Sequence, residues 1–131
     1  MSSEVAIISA SLTAYLVLVA MLVGSFINLA ADRLPRGESL IRPRSHCRSC
    51  GRVLDITDLI PVAGYVLRRG RCATCGVAIG AGSPLLEAAC GVAMLGSLVF
   101  LGLGWGAVAG AAAAAFIGLA RVGLPLVRAG R

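Results

Sequence analysis

Cys47-Arg48-Ser49-Cys50-Gly51 and Cys72-Ala73-Thr74-Cys75-Gly76 are two copies of one signature, a CxxC pair followed by glycine. Two thiolates separated by two residues can converge on one ion, and the glycine frees the backbone of the turn behind them. Two such pairs supply the four ligands of a tetrahedral centre, so Cys47, Cys50, Cys72 and Cys75 are the expected metal ligands. Each pair leaves its turn into a short apolar stretch, through Val53-Leu54 and Val77-Ala78-Ile79. The pattern predicts two facing knuckles, each leading into a small strand. Zinc is favoured because nothing else in the chain argues for redox chemistry, although thiolates alone also suit iron. Four thiolates close the coordination shell, so the metal is expected to staple a polar loop and to leave no open position for catalysis. A disulfide or a thioredoxin-like pair is the competing reading. The arginine-rich segment around the cysteines is expected to face a reducing cytosol, which weakens it. His46 stands beside the first ligand and reads as a supporting or surface residue, since four cysteines suffice.

The remainder of the chain is too apolar for an ordinary soluble domain. Its 131 residues have a mean hydropathy of +0.91 and only 14% are charged, against roughly a quarter in globular proteins. Long uncharged runs account for the difference and predict an integral membrane protein. All twelve basic residues are arginine, and their clustering speaks for membrane topology and against a nucleic-acid partner. Glu4 and the lack of a basic n-region argue against a cleaved signal peptide.

The first membrane helix is expected within residues 1–31, where residues 5–31 carry no charge. Gly24 and Asn28 lie one turn apart on one face near its end, suited to close packing and an interhelical hydrogen bond. Pro35 stops this helix. Residues 32–84 then form a loop domain with nine of the twelve arginines against Asp32, Glu38, Asp55 and Asp58. By the positive-inside rule this loop is cytoplasmic and the N-terminus lies outside, with the basic face toward anionic lipid headgroups. Between the knuckles, Thr57 or Asp58 is expected to cap a short helix with Pro61 in its first turn.

A second membrane helix is expected over residues 85–103. Its Glu87 must reach the interface or find a donor such as an arginine of the loop. Cys90 reads as a small buried side chain. Residues 102–106, Gly-Leu-Gly-Trp-Gly, predict a tight extracytoplasmic turn. A third helix over residues 105–120 is rich in glycine and alanine, with Gly106-x-x-x-Gly110 suited to close helix packing. Arg121, Arg128 and Arg131 mark residues 121–131 as a basic cytoplasmic tail. The predicted fold is therefore an all-α, multi-pass inner (cytoplasmic) membrane protein. Three transmembrane helices carry a small four-cysteine zinc-knuckle subdomain between the first and second.

Gly24-Ser25-Phe26-Ile27-Asn28, then Arg33-Leu34-Pro35-Arg36-Gly37-Glu38-Ser39, then Pro43 to Gly51 form an ordered series of blocks. The series continues with Asp58-Leu59-Ile60-Pro61-Val62, Arg69 to Gly76 and Pro84-Leu85-Leu86-Glu87. Over residues 22 to about 90 this resembles the N-terminal region of the type IV prepilin peptidases, membrane enzymes that cleave prepilin leaders and N-methylate the new N-terminus. The resemblance implies a cytoplasmic zinc-binding subdomain held by Cys47, Cys50, Cys72 and Cys75, in a region associated with methyl transfer. It also implies scaffold or site roles for Asn28, Arg33, Asp58 and Glu87. Gly80-Ala81-Gly82-Ser83 departs from the family, where an aromatic and a basic residue are usual.

The family's proteolysis rests on two membrane-embedded aspartates in later helices. Here Asp32, Asp55 and Asp58 all lie within or beside the loop, and nothing after Glu87 is acidic. An aspartic peptidase needs two carboxylates close enough to share a proton. No catalytic residue is therefore assigned, and peptidase activity by this chain alone is not expected. The absence of a glycine-rich cofactor loop counts equally against a lone methyltransferase. The expected role is a zinc-bearing membrane subunit, non-catalytic alone, that acts with a membrane partner in prepilin-like processing. That partner would be a peptidase half. The alternative is a structural accessory subunit of an unrelated, larger membrane complex.

Overall fold

The computed structural model describes residues 2–129, with side chains described through residue 123. Helix α1 runs Ser2–Arg33 and tightens into a 3₁₀ turn over Leu34–Arg36. It continues two residues past the uncharged run because Asp32 and Arg33 can still join the hydrogen-bond ladder, whereas Pro35 cannot donate to it. Gly37, at φ 67°, closes the end by returning its N–H to Leu34 O. Helix α2 is short, Ala63–Leu67, and α3 spans Gly82–Ala129.

Helix α3 is broken at Gly102, whose φ of 74° and ψ of 177° are not helical. The chain doubles back there. A Cβ on Gly106 would lie 2.7 Å from Leu98 Cα, and one on Gly110 would lie 3.1 Å from Met94 Cα. The two arms of α3 thus pack backbone to backbone, which glycine alone permits at these positions. The expected turn at residues 102–106 is present as this sharp break, after which the helix resumes at once. Side chains of Arg128 and Arg131, assigned to a tail, lie outside the described residues.

Helix α1 packs on α3 through small residues too. A Cβ on Gly24 would stand 2.9 Å from Leu86 O and 3.1 Å from Cys90 Sγ. Gly118, on the returning arm, faces Ile27 of α1. The core they enclose is thin: Ala20, Cys90, Met94, Leu98 and Ala114, flanked by Leu16, Val17, Ala107 and Ile117. Most large apolar side chains face outward instead, among them Ile8, Tyr15, Phe26, Val99, Phe100, Trp105 and Phe116. A helix in the core of a soluble protein would bury this surface. Two segments, Ser2–Arg36 and Gly82–Gly123, are long and apolar enough to cross a membrane. At ~1.5 Å per residue the 32 residues of α1 extend about 48 Å, beyond the ~30 Å hydrocarbon core.

Among the described residues there is no β-strand. Each knuckle is followed by one isolated antiparallel bridge, His46 to Val53 and Arg71 to Ala78. The small strands expected there do not form, because each hairpin pairs only with itself and lacks a neighbour to extend the ladder. The helix expected between the knuckles also differs. A 3₁₀ turn over Ile56–Leu59 is capped by Asp55, and Asp55 and Asp58 exchange backbone bonds in a capping box. Ile60 is then extended, and α2 starts only at Ala63. Pro61 separates the two turns, since the residue before a proline is driven out of the helical region.

Candidate metal centre and the cavity beside it

The two knuckles have the same hydrogen bonding, repeated 25 residues apart. Cys47 N–H donates to Arg52 O at 2.8 Å, and Cys72 N–H donates to Val77 O at 2.9 Å. Gly51 N–H returns to Cys47 O and Gly76 N–H to Cys72 O, with φ of 73° and 68° at the two glycines. Leu54 N–H to Ser45 O and Ile79 N–H to Gly70 O close the two hairpins. The positive φ explains why glycine follows each CxxC: a side chain there would strain the turn.

These turns bring the four sulfurs of Cys47, Cys50, Cys72 and Cys75 within 4.8 Å of one another. Cys47 Sγ lies 3.8 Å from Cys75 Sγ, and Cys50 Sγ lies 3.9 Å from Cys72 Sγ. A tetrahedron with metal–sulfur bonds of ~2.3 Å has sulfur–sulfur edges of about 3.8 Å. The donor set therefore fits one thiolate-bound ion. None of the five cysteines is disulfide-bonded in the structure. Backbone N–H groups of Cys75 and Thr74 pull Cys72 down to about 6, and those of Cys50 and Ser49 lower Cys47. At Cys50 the Arg52 N–H also lowers the pKa, but burial and the neighbouring thiols outweigh it and push the group up to about 11. His46 stays outside the cluster, with Nδ1 2.9 Å from Arg44 O.

Arg52 ties this centre to the rest of the loop. Its guanidinium pairs with Asp58 and, at 2.8 Å, with Asp55. Asp58, Cys72 and Asp55 hold Arg52 above its ordinary range against the pull of burial. Asp58 is the deeper acid, its side chain only 5% exposed, and it also accepts from Arg68 Nε at 2.7 Å. Burial works against its charge, yet Asp55 N–H, Arg68 and Arg52 together keep it below the usual carboxylate range. Sequence reasoning missed Arg52, although its place directly after Cys50-Gly51 and before the Asp55-x-x-Asp58 box was the available signal.

Arg33 and Glu87 anchor the loop to the helices. Arg33 is buried at the end of α1 and donates to Ser39 O at 2.8 Å and Pro43 O at 2.9 Å. A cation at a helix C-terminus is also favoured by the macrodipole. Glu87 is buried in the first turns of α3. It accepts from Val62 N–H at 2.6 Å and Ser83 Oγ at 2.9 Å, so it finds the donors it needs in a backbone amide and a hydroxyl and not in a loop arginine. Among the described residues Arg33, Arg36, Arg48, Arg52, Arg68 and Arg71 are taken by Asp32, Glu38, Asp55 and Asp58 or by carbonyls. Val62 meets Glu87 in a strained turn at φ 57° and ψ −48°, with Ala63 N–H 2.5 Å from Pro61 O. This is a γ-turn of the rare, unfavourable hand.

A cavity of about 200 Å³ lies where α1, both knuckles, the segment around α2 and the start of α3 meet. Asn28, Asp58 and Glu87 all line it, so three of the four residues picked out beside the cysteines are brought together. Arg33 instead lines a separate surface recess. The interhelical hydrogen bond expected of Asn28 is absent: its buried Oδ1 has no partner.

Residues 18–101 match the family described as Bacterial Peptidase A24 N-terminal domain. The chain is 41% identical over 73 residues to a Prepilin leader peptidase/N-methyltransferase of Myxococcus xanthus, a match covering 56% of this chain and 22% of that protein. A protein of the same description from Burkholderia pseudomallei is 42% identical over 87 residues, 66% of this chain and 26% of its own length. A Type 4 prepilin-like proteins leader peptide-processing enzyme of Escherichia coli is 34% identical over 104 residues, covering 65% and 39% respectively. The chain thus spans about a quarter of the length of the first two relatives. No solved structure matches it.

Proposed function

This chain belongs to the bacterial peptidase A24 N-terminal domain family, and from that premise we propose that it is a zinc-bearing inner-membrane module. It would work with a membrane partner in processing prepilin-like proteins, and would be non-catalytic alone. The observation that carries the reading is the four-sulfur cluster locked to the membrane helices. Arg52 and Asp58 link the knuckles to the segment around α2, and Val62 N–H to Glu87 links that segment to α3. Cys47, Cys50, Cys72 and Cys75 would hold the ion, which supplies a cross-link where the loop has little apolar core. Arg52, Arg48 and the other loop arginines would offset the negative charge of a four-thiolate site. In this reading each arm of α3 crosses the bilayer, the N-terminus lies outside, and the loop lies in the cytosol, its basic face toward anionic headgroups.

The carboxylates of these residues support a platform role. Asp32, Asp55 and Asp58 are each engaged by arginine, and Glu87 is satisfied by two donors, so among the described residues these four acids are held by donors and not paired to share a proton. Proteolytic carboxylates would then come from polypeptide outside these 131 residues. Purification from membranes in mild detergent, with mass-spectrometric identification of bound chains and zinc quantified in the same sample, tests this. A partner carrying membrane aspartates and about one zinc per chain is expected. Unrelated membrane subunits with zinc retained would replace this reading by one in which the module is structural.

A further inference from the structure

Part of the metal loop does not sit on top of the helices but comes down beside them. A Cβ on Gly24 of α1 would lie 3.1 Å from Glu87 Cα, so these two residues share one level. The next charge on α1 is Asp32, eight residues on and about 12 Å further along the helix. Helix α3 also starts below that charge, since a Cβ on Gly82 would lie 3.6 Å from Asn28 Oδ1. Val62 N–H reaches Glu87 Oε2 at 2.6 Å, which brings the segment between the knuckles to the level of Glu87. Gly64 and Tyr65 of α2 accordingly share a cavity wall with Ser25 and Asn28 of α1. Residues 60–67 thus lie alongside the uncharged end of α1, where its Val23 and Phe26 face outward.

The side chains of this segment are sorted for such a place. Gly64 is buried against the Asp58 carbonyl, so that side of α2 faces the protein. Val66 and Leu67, two and three positions on, point away from it and are 64% and 70% exposed, and Ile60 is exposed as well. The backbone supplies its own partners, as a low-dielectric site demands: Gly64, Val66 and Arg68 N–H groups donate to Ile60, Val62 and Gly64 carbonyls. Arg68 is held by Asp58, whereas Arg69 is exposed, and an arginine stem can run up from an apolar boundary to the phosphates. We infer that residues 60–67 dip into the bilayer, with Ile60, Val66 and Leu67 among the upper acyl chains and Arg69 at the lipid phosphates. Amphipathic segments settle about 5–10 Å into this boundary, between the levels of Asp32 and Glu87. The inference rests on the reading of α1 and α3 as membrane-crossing and adds lipid as a direct contact of the loop. Because the dipping segment adjoins Asp58, the bilayer surface then sets the height at which the knuckles are held.

The test uses the zinc-loaded full chain in phosphatidylcholine nanodiscs and follows the methyl signals of Val66 and Leu67 by NMR. Val92, exposed on α3 and five residues beyond Glu87, is the reference for the bilayer interior. Three relaxation probes are added in turn: lipid spin-labelled near the top of its acyl chain, lipid labelled at the chain end, and a gadolinium chelate confined to water. The first probe should relax Val66 and Leu67 at least about three-fold more than the second does, as a shallow position requires. Relaxation by the chelate and by neither lipid would overturn the inference and place the segment in water. Protection from all three would overturn it too, and assign the patch to a second protein chain. Relaxation by the chain-end label as strong as by the first would refute the shallow placement. Val92 separates the two readings. If the chain-end label relaxes it, the helices cross the bilayer whatever residues 60–67 do; if only the chelate does, the membrane reading fails and the inference falls with it.

Discussion

Asp58→Asn keeps the shape of the side chain and removes the charge that two arginines share. Asp58 is 5% exposed, Arg52 19% and Arg68 37%. Removing one member of a fully buried pair costs about 3–5 kcal/mol, but Arg68 is partly solvated and Arg52 retains Asp55, so about 2–3 kcal/mol is expected here. In a loop whose folding is coupled to its metal, that loss appears in metal affinity as a drop of about 30- to 150-fold. The assay is chelator competition for zinc on the purified chain in detergent, with Asp55→Asn alongside. Asp55 is 68% exposed, so its loss should cost only about 1 kcal/mol, near five-fold, as a surface pair and cap. The pH dependence has a definite sign. The Asp58 carboxyl is held below its ordinary value, so its contribution is fully present above the unfolded pKa of about 3.9 and is lost as pH falls through the folded value. The ratio between unaltered and Asp58→Asn chains should therefore be flat from about pH 6 to 8. If Asp58→Asn were no worse than Asp55→Asn, the idea that Asp58 locks the metal loop would be refuted.

Chelating the metal should abolish the knuckles while sparing the helices: backbone amides of Cys47, Cys72, Gly51 and Gly76 lose hydrogen-exchange protection and those of α1 and α3 keep theirs. Gly24→Leu should separate α1 from α3, because even its Cβ would meet Leu86 O at 2.9 Å. A loss of about 1–3 kcal/mol, read by thermal unfolding in detergent, is expected. Glu87→Ala strands Val62 N–H and should speed proteolysis between residues 56 and 67, by about five-fold or more for a ~1 kcal/mol loss. Val62→Gly should do the opposite of an ordinary core truncation: with φ at 57° the glycine relieves strain, and the loop gains about 1 kcal/mol against thermal unfolding.

The long apolar helices and the clustering of the four cysteines were legible in the chain because their signals are local. A charge-free run, a proline stop and a CxxCG turn each act within a few residues, so spacing alone places them. The break of α3 was legible at Gly102-Leu103-Gly104 for the same reason. The boundaries of the segment between the knuckles were not: Thr57 and Asp58 were the expected caps and Pro61 the expected first turn, whereas Asp58 pairs with Arg52 and Arg68 and the cap falls to Asp55.

What only the tertiary structure decided is who satisfies whom. Sequence indicated that Glu87, a charge in an apolar run, must reach an interface or find a donor; the fold supplied Val62 N–H and Ser83 Oγ, groups that no pattern of charges marks. Sequence determined that Asn28 was a polar residue on a helix-packing face; the fold buried its oxygen without a partner and made the residue part of the wall of a cavity shared by five parts of the chain. Local turns follow from a residue's own backbone preferences. A buried hydrogen bond between residues 25 apart follows from how rigid pieces dock, and glycine contacts at Gly24, Gly64 and Gly110 set that docking.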